Sequence, residues 1–117
     1  MRDLQRPIYL NLFAFSFPIT AIVSILHRLT GLLLFILIPV FLSMLQSALF
    51  YMYVPASFGL SLLVWAALTA VIYHLFAGIR HLCMDLGFAE SKKAARVTSF
   101  IVLIVTGFGS ILIWLRL

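Results

Sequence analysis

With 117 residues, 65% of them hydrophobic and only 9% charged, the chain is too apolar for an ordinary water-soluble domain, in which about a quarter of residues carry charge. The net charge of +5 does not signal nucleic acid, because the cations flank apolar runs instead of clustering for phosphate. A single cysteine, Cys83, excludes an intrachain disulfide and a cysteine-ligated zinc or iron–sulfur centre within the chain, and the length leaves no room beside spanning helices for a flavin- or nucleotide-binding domain.

The chain opens with a polar stretch from Met1 to Pro7, and no small-residue cleavage site follows it, so no signal peptide is expected. The segment over 8–17 is apolar and is expected to lie along the membrane interface as an amphipathic lead-in. From Leu29 to Ile79 no residue carries a full charge, His74 aside. That run is too long for one helix. Pro55, Gly59 and the interfacial tyrosines Tyr51 and Tyr53 mark the break. The first spanning helix is therefore expected over 19–50, with Pro39 as a site for a kink. The second is expected over 58–84. A charged loop with Asp85, Glu90, Lys92, Lys93 and Arg96 follows. The third is expected over 97–115, with Thr106, Gly107, Gly109 and Ser110 forming a small-residue patch for close helix packing. The fold class is thus an all-α membrane protein of three transmembrane helices, read as one transmembrane domain over 1–117. Arg2, Arg6, Arg80, Lys92, Lys93 and Arg96 lie on one side and only Arg116 on the other. The positive-inside rule then places the N-terminus in the cytoplasm.

Polar residues inside apolar runs carry the functional information, since each costs a few kcal/mol, roughly, unless partnered. Ser24, His27, Arg28 and Gly31 follow i, i+3, i+4, i+7 spacing and share a face of the first helix. Hydroxyl, imidazole and guanidinium there suit an anionic or carbonyl-bearing ligand at the membrane boundary. The simpler reading is that Arg28 snorkels to headgroups and His27 sits at the interface.

Near the end of the second helix, His74, Gly78, His81 and Asp85 form another stripe. A histidine in the hydrocarbon region needs partners for both ring nitrogens. Haem iron is one such partner, and Gly78 would open room for a flat macrocycle, with Arg80 and His81 near propionates. The competing reading is a histidine hydrogen-bonded to a neighbouring helix, with Gly78 as a packing contact.

Taken together, Arg6-Pro7, the segment Ser24-Ile25-Leu26-His27-Arg28-Leu29-Thr30-Gly31 and the segment from His74 to Asp85 closely resemble the cytochrome b membrane-anchor subunits of succinate dehydrogenase, the C-type anchor chains. The resemblance covers nearly the whole chain. It implies a subunit of succinate:quinone oxidoreductase in the inner membrane, not catalytic alone. A second, D-type anchor subunit would share a haem b with it, and both would hold the iron–sulfur and flavoprotein subunits. His74 matches the axial haem-iron ligand. Ser24 and Arg28 match ubiquinone-site positions. His27, Arg28 and His81 would lie in the vicinity of the haem propionates. The chemistry agrees: donors at the hydrocarbon boundary suit a carbonyl-bearing quinone with an apolar tail, and His27 can move protons near neutral pH.

Two other readings compete. A non-haem structural anchor or assembly protein would leave His74 merely packed. A proton-coupled transporter would need an intramembrane carboxylate, and the only acids, Asp3, Asp85 and Glu90, lie at the edges of the apolar runs or outside them.

Overall fold

The structure is a computed structural model that describes residues 17–117. Arg2, Arg6, Pro7 and the lead-in over 8–16 lie outside the described residues. Within them the chain is helical without a strand: α1 (Ile19–Leu45), α2 (Ala48–Tyr53), α3 (Phe58–Asp85) and α4 (Lys92–Trp114). Helices α1, α3 and α4, with 27, 28 and 23 residues, are long and apolar enough to cross a membrane. At about 1.5 Å per residue each covers a hydrocarbon core of about 30 Å.

The first helix stops short of its expected end. It closes at Leu45, and a separate six-residue helix, α2, replaces the stretch expected to continue it. The polar pair Gln46-Ser47 marks the break, with Ser47 extended (φ −92°, ψ 124°). By Leu45 the helix already exceeds the hydrocarbon thickness, so nothing requires it to continue. Val54 closes α2 through its N–H to the Phe50 carbonyl, and Pro55 follows. The Ser57 hydroxyl then caps α3 by accepting from the Leu60 N–H.

The third spanning helix begins at Lys92, earlier than hydropathy places it. Ser91 is its cap, accepting from the Ala94 N–H at 3.2 Å. The cationic first turn is thus part of the helix and not of the loop before it. Between α3 and α4 the chain reverses in a Schellman motif. The Phe88 N–H reaches the Cys83 carbonyl and the Gly87 N–H the Met84 carbonyl, with Gly87 at φ +86°.

Helix α3 is the hub, packing on both α1 and α4. Val23 of α1, Tyr73 and Ala77 of α3 and Val102 of α4 form the buried core. With little hydrophobic drive between helices in lipid, packing and polar contacts hold the bundle together. The Tyr73 hydroxyl donates to the Val23 carbonyl at 2.7 Å. Trp65 Nε1 donates to the Ser110 carbonyl at 2.9 Å, and Thr69 bonds the Ser110 hydroxyl at 3.1 Å. Of the expected small-residue patch, Thr106 and Ser110 are buried, and Gly109 lies close to Ile72. Gly107 takes no part; a Cβ there would meet nothing within 4 Å.

Candidate functional site

Consecutive spanning helices run antiparallel, so the start of α1 meets the end of α3. Each helix carries a histidine followed four residues later by glycine: His27 and Gly31 on α1, His74 and Gly78 on α3. In an antiparallel pair, this spacing sets each histidine opposite the other helix's glycine. The structure shows that exchange. A Cβ added at Gly31 would stand 2.9 Å from His74 Cε1, and one at Gly78 would stand 3.3 Å from His27 Nε2. The glycines are the space into which the imidazoles fit. Gly78, expected to make room for a macrocycle, instead receives His27.

Lodged this way, the two rings stack face to face, with centroids 4.2 Å apart and planes 11° from parallel. His81, two turns after His74, brings its ring to 5.0 Å from His27, tilted by 49°. All three histidines of the chain thus meet at one place. Parallel rings point their nitrogens sideways instead of at a shared point. Accordingly, no metal-holding group of three His, Cys, Asp or Glu side chains occurs among the described residues.

The hydrogen bonds of His74 run through one ring nitrogen. Its Nδ1 lies 3.1 Å from the His27 carbonyl oxygen and 3.2 Å from Thr30 Oγ1. A carbonyl can only accept, so the contact is a bond only if Nδ1 carries the proton. The Thr30 hydroxyl has its own acceptors, the Leu26 carbonyl at 2.9 Å and the His27 carbonyl at 3.0 Å. Its oxygen is then free to share the Nδ1 proton. This assignment satisfies every contact and leaves Nε2 of His74 outside the hydrogen bonding. That nitrogen has no hydrogen-bond partner among the described residues and is not among their sealed, unpartnered polar atoms. The bundle orients the ring through Nδ1 and leaves its second nitrogen without a partner among the described residues, as metal-ligating histidines are commonly held.

Ser24 and Arg28 lie one helical turn apart on α1, Ser24 half-buried and Arg28 exposed. Arg28 lies within electrostatic range of His81. Neither Ser24 nor Arg28 spends its side chain on a hydrogen bond within the described residues, so both remain free for a ligand. Arg80 differs. The sequence reading set it beside His81, yet it turns to α4, where it is buried. Its Nε donates to Thr98 Oγ1 at 3.2 Å and its Nη2 to the Ala95 carbonyl at 3.1 Å. Six residues after His74, it falls on a different face of the helix. Arg80 is a fastener between α3 and α4.

Sequence reasoning passed over Thr30 and saw Gly31 only as part of a polar face. The signal was present as the same histidine-to-glycine spacing in both segments. It becomes meaningful once the two helices are known to be antiparallel neighbours in matching register.

Three apolar helices with a histidine oriented inside the span define a multi-pass membrane protein built around an intramembrane polar site. The chain belongs to the succinate dehydrogenase/fumarate reductase transmembrane subunit family, which it matches over residues 2–113. It is 39% identical to the succinate dehydrogenase cytochrome b556 subunit of Coxiella burnetii, over 95% of this chain and 97% of that one. It is 30% identical to the cytochrome b556 subunit of Rickettsia felis, over 94% of this chain and 91% of that protein. The succinate dehydrogenase cytochrome b560 subunit of Reclinomonas americana is 27% identical, over 97% and 87% of the two chains.

Proposed function

We propose that the chain is the haem b-binding membrane anchor of a succinate:ubiquinone oxidoreductase in the inner membrane, with its N-terminus in the cytoplasm. A second anchor subunit completes the haem pocket, and the pair holds the iron–sulfur and flavoprotein subunits. The observation that carries this reading is the state of His74: Nδ1 is occupied by the His27 carbonyl and Thr30, and Nε2 is unpartnered. Family membership and the names of the relatives support it.

The residues fit a b-type haem. His74 Nε2 would hold the haem iron from this chain, with a second ligand from the partner anchor. His27, Arg28 and His81 stand on the same side, toward the start of α1, where cationic and hydrogen-bonding groups receive propionates. Bound haem supplies reversible one-electron storage to the membrane domain. The chain's own residues do the rest. His27 and Thr30 orient the ligand ring. Ser24 offers its hydroxyl to a quinone carbonyl. Arg28 sets a permanent cation beside the oxygen on which negative charge grows during reduction. Exposed aliphatic side chains next to them, Ile25 and Leu29, suit an apolar tail.

The test is His74→Ala in the assembled complex, read by a reduced-minus-oxidised visible spectrum. The haem b signal should be lost or changed to that of a misligated haem. An unchanged spectrum would remove His74 as the ligand and favour a structural anchor with a packed histidine.

A further inference from the structure

We propose that Thr30 and Gly31 are positioning residues for the haem iron, acting through His74: Thr30 by sharing the Nδ1 proton, Gly31 by giving the ring its seat against α1. This rests on the reading of His74 as the axial ligand.

The Thr30 oxygen stands 3.2 Å from Nδ1, beside the His27 carbonyl at 3.1 Å. Two acceptors on one N–H pull electron density toward the ring and give its free nitrogen more of the character of a strong donor. A stronger imidazole donor favours the oxidised iron. Gly31 contributes through shape. A methyl group there would stand 2.9 Å from His74 Cε1, closer than carbon atoms approach. The ring has no easy retreat, because His27 covers one face and the Nδ1 bonds fix its rotation. Gly31 lies well inside α1, where alanine is the better helix former. Its replacement therefore threatens the ring and not the helix.

The experiment uses the complete complex purified with Thr30→Val, Thr30→Ser, Gly31→Ala or His74→Ala in this chain. Haem content is measured, together with the ferric haem resonance spectrum and the haem midpoint potential. Thr30→Val keeps the shape and removes the acceptor, so the potential should shift upward at wild-type haem content, and Thr30→Ser should restore it. Gly31→Ala should lose haem or alter the ferric spectrum. Loss of haem from Thr30→Val that Thr30→Ser repairs would also support the hydroxyl's role, whereas equal loss from both would overturn it. A wild-type potential and ferric spectrum in Thr30→Val and Gly31→Ala, with haem lost from His74→Ala, would overturn the positioning role alone. Haem retained with a wild-type spectrum in His74→Ala would overturn the ligand assignment on which it rests.

Discussion

On the proposed function, Ser24 and Arg28 divide the work at the membrane boundary by chemistry. One offers a neutral hydroxyl, the other a guanidinium. Arg28 makes no hydrogen bond inside the described chain, so replacing it leaves no buried group stranded. Arg28→Leu and Ser24→Ala should therefore assemble normally. Each should slow quinone reduction while succinate oxidation by an artificial acceptor continues. Loss of a charge-assisted hydrogen bond is worth about 1.5–3 kcal/mol, so Arg28→Leu should cost roughly tenfold or more, and Ser24→Ala less. Quinone turnover at the wild-type rate in both would take them out of the site. At this scale the sequence shows which residues share a helical face and less of what they touch. The faces of Ser24, His27, Arg28 and His74 follow from helical spacing alone. That Arg80 turns to Thr98 and Ala95 depends on where α4 lies, which spacing within α3 does not encode.

At the scale of elements, hydropathy found three spans because the hydrocarbon thickness sets their length. It missed two boundaries because helices do not end where lipid does. Ser91 starts α4 inside the charged loop by capping it, and Gln46-Ser47 ends α1 within a stretch that still reads as apolar. Both signals are local hydrogen-bonding chemistry that averaging over a window removes. The turn between α3 and α4 is specified in the same local way, by Gly87 at φ +86°. A side chain there meets the left-handed penalty of about 1 kcal/mol. Gly87→Ala should lower the thermal midpoint of the purified complex by a small, measurable step while the haem spectrum stays unchanged. An unchanged midpoint would show that the turn does not limit stability.

At the scale of the molecule, the chain turns an apolar surface outward nearly everywhere; Phe35 is 80% exposed and Ile104 69%. Lipid or a neighbouring subunit must cover such a surface. The polar residues gather instead between helices: the three histidines between α1 and α3, and Arg80, Trp65 and Thr69 between α3 and α4. The first group leaves one imidazole nitrogen of His74 without a partner among the described residues, while the second is satisfied within the chain. On the proposed function, that division separates the face that receives haem and quinone from the face that holds the bundle together. The antiparallel exchange of histidines and glycines is the part of the site that only the fold reveals, since it depends on the register between two helices.

The most direct test of the account is to purify the complex through this chain from the membrane, identify the subunits that accompany it, and record its reduced-minus-oxidised visible spectrum. The account predicts a b-type haem signal together with a flavoprotein subunit, an iron–sulfur subunit and a second small anchor. Those subunits without a haem signal would contradict the role of His74 as an iron ligand and leave the chain a purely structural anchor.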